Sequence, residues 1–246
     1  MKRFQGKVAL VTGAGSGIGL ATARRIAEEG GTAVAGILNE SQRVATVGID
    51  AVVLDVRSEA AWDAALGYVV KKYGGLDVLV NNAGIGPIAT AEETSWEMWD
   101  EVMAVNLKGT FMGCKKAIPL MRKRGGGAIV NLASINAIRG NTRLVAYAAT
   151  KGGVMAMTMS LALDHIAENI RVNCVCPATI ETPMIHEMLG TAPDRDAATR
   201  GIIAKHPIGR MAQPEEVAST IAFLASGDAS FMTGLAIPVD GGRSIR

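Results

Sequence analysis

The sequence predicts an α/β fold in which a doubly wound, parallel, seven-stranded sheet is covered by helices on both faces. Short apolar runs alternate with longer amphipathic stretches along all 246 residues. Short runs of this kind are typical of strands buried on both faces. A parallel connection needs roughly a dozen or more residues and usually contains a helix. With no linker or internal repeat in the sequence, we expect one domain over residues 1–246.

Each strand candidate is a run of small or β-branched apolar residues, and these lie at Val8–Val11, Ala33–Ile37, Ala51–Leu54, Val78–Val80, Ala128–Leu132, Val172–Val175 and Leu235–Val239. The helix candidates have amphipathic patterns and lie at Ile18–Glu29, Ala60–Tyr73, Trp96–Arg124, Tyr147–Glu168 and Pro214–Ala225. The segment from Pro177 to about Arg210 contains four of the eight prolines and is predicted as an irregular substrate loop. Long loops in compact domains are commonly lids or binding loops, and this one follows the carboxyl end of a strand.

Composition excludes several classes of protein. Hydrophobic residues make up 49% of the chain and charged residues 20%, so a packed core can offset the entropy of ordering the chain. The formal net charge is +2 and the basic residues are scattered, which predicts no nucleic-acid partner. No apolar run reaches the roughly 18 residues of a membrane span, and the first residues lack a signal-peptide pattern. We therefore expect a cytoplasmic protein with no membrane partner.

The cysteines and histidines form no metal or disulfide signature. Cys174-Val-Cys176 lacks CxxC spacing, and Cys114 is distant from both. The histidines are far apart and are expected to lie at the surface, at His165, His186 and His206. The sequence therefore predicts no metal site and a reducing compartment.

A glycine-rich segment, Thr12-Gly13-Ala14-Gly15-Ser16-Gly17-Ile18-Gly19, joins the first strand to the first helix. Glycines there permit a tight turn and let backbone N–H groups approach a pyrophosphate at the helix N-terminus. The spacing differs from GxGxxG, but the position in the first βα unit favours a dinucleotide site over an ordinary turn.

A second motif, Asn81-Asn82-Ala83-Gly84, follows the fourth strand. By itself the motif fits an ordinary turn equally well, because Asn and Gly tolerate left-handed conformations. Its place at the carboxyl edge of the sheet, where a dinucleotide would lie, favours a role in the cofactor site.

Tyr147 and Lys151 are four residues apart in a predicted helix, so their side chains share one face. A nearby ammonium favours the phenolate of a tyrosine whose ordinary pKa is about 10, which suits acid/base chemistry near neutral pH. A surface pair is the alternative, but the small apolar residues around them are not typical of a solvated face. Ser134 ends the fifth strand at the same edge and is a candidate donor to a substrate oxygen.

The glycine loop, NNAG, a serine thirteen positions before the YxxxK motif, and the terminal Thr233-Gly234 and Val239-Asp240-Gly241-Gly242 together resemble the classical short-chain dehydrogenase/reductase family. The resemblance covers essentially the whole chain. It implies a Rossmann-type fold, a nicotinamide cofactor and, commonly, a homotetramer. It also implies that Tyr147 is the acid/base at the alcohol or carbonyl oxygen and that Ser134 orients this oxygen. The same resemblance implies that Lys151 lowers the tyrosine pKa and binds the nicotinamide ribose. Asn106 is expected from it to hold a water in a proton relay.

The same resemblance implies the cofactor contacts. Asp55-Val56 match the adenine contact, and Ile180 with Thr182 match the carboxamide contact. Pro177 is followed by Ala178 where the family usually has glycine, which changes the space near the nicotinamide or substrate. The expected cofactor-binding residues are Gly13, Ser16, Gly17, Ile18, Gly19, Ile37, Asp55, Val56, Asn82, Ala83, Gly84, Tyr147, Lys151, Pro177, Ile180 and Thr182.

The end of the second strand bears on the choice between NAD and NADP. An acidic residue there accepts hydrogen bonds from the ribose hydroxyls of NAD, whereas a nearby arginine favours the 2′-phosphate of NADP. This sequence has Ile37 and Leu38 at that place, Ser16 where NADP enzymes often carry a cation, and Arg43 further along. The sequence therefore predicts NAD or NADP, with a small preference for NAD.

We expect an NAD(P)-dependent oxidoreductase that transfers a hydride between the cofactor and a small secondary alcohol or ketone. One alternative is a 3-oxoacyl-(carrier protein) type reductase; the 177–210 segment shows no clear basic cluster for it, although Arg139, Arg143 and Arg195 are candidates. Another is a catalytically silent dinucleotide-sensing protein, against which the intact catalytic set argues. Apolar residues on several faces of the long helices, including Val154 and Ala162, predict a homo-oligomer.

Overall fold

A seven-stranded parallel sheet with strand order β3-β2-β1-β4-β5-β6-β7 organises the chain. The computed structural model describes residues 2–246. Every neighbouring pair of strands is parallel, which confirms the predicted sheet. The strands are β1 Val8–Thr12, β2 Thr32–Ile37, β3 Asp50–Val53, β4 Val78–Asn81, β5 Gly127–Leu132, β6 Ile170–Pro177 and β7 Ala236–Val239.

The helices are α1 Gly17–Glu28, α2 Glu59–Tyr73, α3 Trp96–Val102, α4 Gly109–Lys123, α5 Val145–His165, α6 Pro183–Gly190, α7 Arg195–Ile203 and α8 Pro214–Ala225. The amphipathic stretches of the sequence therefore correspond to helices. A π-helical stretch, Met103–Lys108, connects α3 directly to α4, so the predicted helix over 96–124 is one continuous helical segment. Among the described residues, no helix has both the length and the apolar character needed to cross a bilayer.

Both faces of the sheet are buried, because successive residues of a strand point to opposite sides. On one side, Val11 packs in a core with Ile26 of α1 and Ile221 of α8. On the other side, its neighbour Leu10 packs with Trp62 of α2 and other residues from α2 and α4. This double burial explains why the strands read as short continuous apolar runs rather than as alternating patterns.

The strand order reverses direction between β1 and β4, because β2 and β3 lie on one side of β1 while β4 to β7 lie on the other. The helices α1 and α4, which come after β1 and β4, therefore pack on opposite faces of the sheet, and a crevice lies at the carboxyl edge. Ligands of open α/β folds bind at such a point.

The prediction of an irregular segment from Pro177 to about Arg210 is wrong, since α6 and α7 occupy much of it. Pro183 sits at the first position of α6, where the missing N–H of proline costs nothing. Asp194 caps α7 by accepting a hydrogen bond from Ala197 N–H at 2.8 Å. Pro183 therefore marks a helix start, and the segment covers the carboxyl edge as two short helices.

Candidate active site

A cavity of about 610 Å³ runs along the carboxyl edge of the sheet. The loops after strands β1 to β6 line it, and α6 and α7 close part of it. Most residues expected from the sequence line this cavity: Gly13, Ser16, Gly17, Ile18, Asp55, Val56, Asn82, Ala83, Gly84, Ser134, Tyr147, Lys151, Pro177, Ile180 and Thr182. Gly19, Ile37 and Asn106 do not.

The glycine loop and the NNAG turn are joined to each other by hydrogen bonds. The hydroxyl of Thr12 accepts from the backbone N–H groups of Asn82 and Ala83, each at 3.0 Å. The Asn82 amide donates to the carbonyls of Thr12 at 2.9 Å and Gly13 at 3.1 Å. Gly13 has a φ of +61°, and a Cβ there would lie 2.8 Å from Ala83 Cα. The contact therefore requires glycine and fixes the floor of the crevice.

Gly19 does not line the cavity; it lets α1 pack against the loop. A Cβ at this position would lie 2.4 Å from the carbonyl oxygen of Gly13 and 2.5 Å from the Asn82 amide nitrogen. The first turn of α1 contains no acidic residue, so no carboxylate of that turn would repel a phosphate at the positive end of the helix. The loop and helix end therefore fit a dinucleotide pyrophosphate.

Tyr147, Lys151 and Ser134 come together at the opposite part of the crevice. Both Tyr147 and Lys151 lie on α5, and Lys151 Nζ is 5.6 Å from the centre of the Tyr147 ring. The ammonium donates a hydrogen bond of 2.7 Å to the carbonyl oxygen of Leu132, the last residue of β5. Ser134 is buried just beyond that strand end, and its Oγ accepts from the N–H of Asn136 at 3.1 Å. The arrangement places a phenol, a hydroxyl and an ammonium in one cavity.

Burial controls the protonation of these groups. It raises the pKa of Tyr147 above its ordinary value of 10, and the hydrogen bond from Ser134 offsets only part of this rise. It also lowers the pKa of Lys151 to about 8. The net shift of the Tyr147 pKa is therefore upward rather than downward as expected from the sequence, because desolvation disfavours the phenolate. Tyr147 is therefore a protonated phenol at neutral pH.

Asn106 lies behind the cavity, within the π-helical stretch between α3 and α4. Its amide is bonded to both backbone groups of Ile85, accepting from N–H at 2.9 Å and donating to the carbonyl at 2.8 Å. It also donates to Thr150 Oγ1 at 3.2 Å. A Cβ added to Gly84 would lie 3.2 Å from Asn106 Oδ1 and 3.5 Å from Lys151 Nζ. The Asn106 side chain therefore holds the loop after β4 beside the lysine.

The expectation that Ile37 contacts the cofactor is wrong, because its side chain is fully buried in the core between the sheet and α1. The next residue, Leu38, lines the cavity and is 54% exposed. Alternation along a strand explains this difference, since a shift of one residue moves a side chain to the other face. Arg43 is paired with Glu40 at 2.6 Å and donates to the carbonyl of Ala51, so it does not extend toward the cavity.

Gln42 lines the cavity and was missed in the sequence. Its Oε1 accepts a hydrogen bond of 2.9 Å from the N–H of Leu38, so its amide lies across the end of β2. A Cβ at Gly15 would be 2.5 Å from that oxygen, which shows how closely Gln42 approaches the glycine loop. No motif spacing indicates this contact, because it depends on a 3₁₀-helix, Glu40–Thr46, that turns back over the strand end.

His206 is also misplaced by the sequence prediction. It is buried rather than exposed, and its Nε2 accepts from the N–H of Thr179 at 3.3 Å. Burial lowers the pKa of His206, so the ring is neutral and braces the loop after β6.

Other polar side chains line the end of the cavity beyond Tyr147, among them Lys205 and Arg243, which the sequence did not single out. No cluster of His, Cys, Asp or Glu suited to a metal occurs among residues 2–246.

Comparison with known proteins places this architecture in a family. A family model described as "Enoyl-(Acyl carrier protein) reductase" matches residues 13–244. The chain is 42% identical over 248 residues to 3-oxoacyl-[acyl-carrier-protein] reductase FabG of Thermotoga maritima, covering 98% of both chains. It is 40% identical over 252 residues to cyclohexanol dehydrogenase of an Acinetobacter strain, covering 97% of this chain and 95% of the other. The structure of levodione reductase superposes with a TM-score of 0.94 at 34% identity, with 99% of each chain covered.

The chain therefore belongs to the short-chain dehydrogenase/reductase family, whose members are oxidoreductases that use a nicotinamide cofactor.

The buried Lys151 generates a stability prediction. Its native pKa of about 8 lies below the ordinary 10.5, so between these values the unfolded chain binds more protons than the native protein. The cost of burying the ammonium is therefore fully present below pH 8 and disappears as the pH rises toward 10.5. We expect Lys151→Met to raise the free energy of unfolding at pH 7 by up to about 3 kcal/mol, with a gain that shrinks toward pH 10.5.

Chemical denaturation across this pH range measures the effect. Lys71→Met, which removes an exposed lysine on α2, is the control and should show no such pH-dependent gain. Equal stability differences for Lys151→Met at pH 7 and pH 10.5 would contradict the assignment of the cost to the buried charge.

Proposed function

We propose that this protein transfers a hydride between NAD(P) and a small secondary alcohol or ketone at the site formed by Ser134, Tyr147 and Lys151. The observation that carries the proposal is the phenol of Tyr147 beside the buried ammonium of Lys151, in the same cavity as a glycine loop suited to a pyrophosphate. When bound, the nicotinamide supplies or accepts the hydride. We propose one domain over the whole chain, with α6 and α7 forming its substrate-covering segment.

Each polar group has a role in this proposal. In the reductive direction, Tyr147 donates its proton to the substrate oxygen, and in the oxidative direction it accepts that proton. The Ser134 hydroxyl donates a hydrogen bond that orients the same oxygen. Lys151 contacts the nicotinamide ribose and stabilises the phenolate once the tyrosine has lost its proton. Asn106 keeps the loop after β4 in place and is proposed to hold the water of a proton relay.

The remaining contacts follow the length of the cavity. We propose that Gly13, Ser16, Gly17 and Ile18 hold the pyrophosphate, and that Asp55 and Val56 contact the adenine. Asn82, Ala83 and Gly84 support the middle of the cofactor. The nicotinamide end is proposed to lie against Pro177, Ile180 and Thr182.

A Tyr147→Phe substitution tests the proton transfer. We expect kcat for cyclohexanol oxidation to fall at least about a hundredfold, because a positioned acid/base contributes roughly 10²–10⁴ in rate. The dissociation constant for NADH, measured by its fluorescence, should stay within about twofold because the phenyl ring still fills the site. Tyr68→Phe, which changes a tyrosine outside the cavity, is the matched control. Retention of more than about a tenth of wild-type kcat would contradict the role.

The cofactor preference is proposed to be weakly for NAD. Neither an acid nor a cation lines the end of β2, and Leu38 and Gln42 present an apolar and a neutral amide surface. The Gln42 oxygen is occupied by Leu38 N–H, so its Nε2 is the group that remains to donate to a ribose oxygen. Such a donor tolerates either a 2′-hydroxyl or a 2′-phosphate, which agrees with a small preference.

Gln42→Glu should increase the preference for NADH over NADPH by at least about tenfold, because a carboxylate repels the 2′-phosphate. Calorimetric dissociation constants of the two cofactors measure the change. Asn39→Asp, which adds the same charge outside the cavity, is the control and should have a smaller effect. A wild-type preference for NADPH of a hundredfold, about 2.7 kcal/mol, would contradict the proposed NAD preference and would show that a cation binds the 2′-phosphate.

A 3-oxoacyl-(carrier protein) substrate is the second candidate, and the similarity to FabG favours it. Two of the arginines considered for such a carrier are engaged elsewhere. Arg143 pairs with Glu93 at 3.0 Å, and Arg139 donates to the carbonyl of Arg243. A catalytically silent sensor remains the least supported alternative, because it has no need of an acid/base tyrosine beside a lysine.

We also propose a homotetramer in the cytoplasm. Val154 and Ala162, expected from the sequence to lie at an interface, are buried within the protomer instead. Met159 and Leu163 on α5 and Phe111 on α4 are exposed and would be covered by another copy. Sedimentation velocity at micromolar concentration should show a tetramer, and a 25.6 kDa species would contradict this proposal.

A further inference from the structure

The charged side chains of the cavity are divided between its two ends. The acidic residues that line it, Asp55 and Glu101, are at the end expected to hold adenosine, and both neighbour Arg57, at 2.8 and 3.7 Å. Beyond Tyr147, at the end closed by α7 and the C-terminal turn, the cations Lys205 and Arg243 line the cavity without any acidic residue. The structure therefore has a net positive charge where the substrate of the proposed reaction would extend.

Arg243 is the most confined of these cations. It is only 9% exposed, yet among residues 2–246 its guanidinium has neither a salt bridge nor a hydrogen-bond acceptor. Asp240 attracts Arg243 electrostatically but forms no salt bridge with it, and its two carboxylate oxygens accept from the N–H groups of Gly242 at 3.0 Å and Ser244 at 2.6 Å. Arg139 adds a second positive charge by donating to the Arg243 carbonyl. The turn therefore concentrates positive charge around Arg243.

Lys205 brings a further cation to the same place from the end of α7. Its Nζ has a neutral partner, Asn141 Oδ1 at 3.3 Å, and both residues line the cavity. Burial and the charge of Arg243 both lower the pKa of Lys205. Together Lys205 and Arg243 bring two cationic residues to the lining of one end of the cavity.

The cofactor phosphates do not account for these cations. The glycine loop follows β1, whereas Arg243 follows β7, and four strand spacings separate these strands in the sheet. At roughly 4.8 Å per spacing the separation is about 19 Å. A confined guanidinium without an anion is unfavourable, and its fork geometry matches a carboxylate or a phosphate in two parallel hydrogen bonds.

We propose that the substrate is an anionic alcohol or ketone, whose carboxylate or phosphate group binds Arg243 and Lys205 while its reacting carbon lies at Tyr147. This proposal rests on the proposed hydride transfer and narrows its substrate class. It also corrects the expectation of no basic cluster beside the site, because Lys205 falls within the 177–210 segment and meets Arg243 from the far end of the chain.

Matched pairs of alcohols test the proposal with NAD as cofactor. The first pair is 3-hydroxybutyrate with its methyl ester, and the second is glycerol 3-phosphate with glycerol. The first pair tests for recognition of a carboxylate and the second for recognition of a phosphate. We expect kcat/KM for one anionic member to exceed that of its neutral partner by at least about tenfold, the usual size of a charged hydrogen bond. Arg243→Gln and Lys205→Gln should each remove most of that ratio. Arg200→Gln, which removes an exposed cation of α7 outside the cavity, should preserve it.

Binding provides a readout that does not require turnover. Malonate and inorganic phosphate are titrated calorimetrically into the wild type and the variants. Arg243→Lys is included because it keeps the positive charge if Arg243→Gln fails to fold. At least one anion should bind the wild type at least about tenfold more tightly than Lys205→Gln and Arg243→Gln, with Arg243→Lys in between. Equal binding by wild type and variants, together with no anionic preference in either pair, would overturn the proposal. Variant-dependent anion binding without oxidation of any alcohol would instead preserve the anion site and reject the alcohol chemistry.

Discussion

The contact between the loops after β1 and β4 is the interaction on which the rest of the site depends. Thr12 and Asn82 join these loops through hydrogen bonds that use both the hydroxyl of one residue and the amide of the other. Gly13 and Gly19 permit the contact, because a Cβ at either position would overlap neighbouring backbone atoms. The crevice at the reversal of strand order is thereby rigid before any ligand enters, and a preorganised loop loses little entropy when it binds an anion.

Burial determines the chemistry at the other end of the crevice. The sheet is covered on both faces, so a lysine on α5 that reaches the end of β5 is removed from water. Its charge is partly compensated by the carbonyl oxygen of Leu132, and its pKa falls to about 8. The same burial keeps Tyr147 protonated. A phenol held in that state suits proton donation to an oxygen that gains negative charge, and the adjacent ammonium favours its return to the phenolate. The site accepts an unfavourable buried charge because that charge takes part in the proposed reaction.

Local sequence patterns predicted most of the fold, for physical reasons. A strand buried on both faces leaves a short apolar run, and the connection between parallel strands leaves an amphipathic helix. The sequence also predicted that Tyr147 and Lys151 lie together, because residues four positions apart in a helix share one face. Position relative to a strand end identified Ser134 and the glycine loop.

The features that sequence reasoning missed depend on precise register or on long-range packing. Ile37 and Leu38 differ by one position, yet one faces the core and the other the cavity. Pro183 begins a helix inside the segment predicted as a loop, because proline is favoured at the first helical position. Arg243 and Lys205 lie 38 positions apart in the sequence, and the pairing of β7 with β6 brings the C-terminal turn to the same cavity.

Transfer of deuterium from the cofactor is the most direct test of the central claim, which is hydride transfer at this crevice. The protein would be incubated with NADH deuterated at C4 and with cyclohexanone or acetoacetate, and the alcohol product analysed by mass spectrometry. The account predicts one deuterium on the newly formed carbinol carbon of at least one product. Consumption of NADH without label in the alcohol, or no reduction of either ketone with NADH or NADPH, would contradict it.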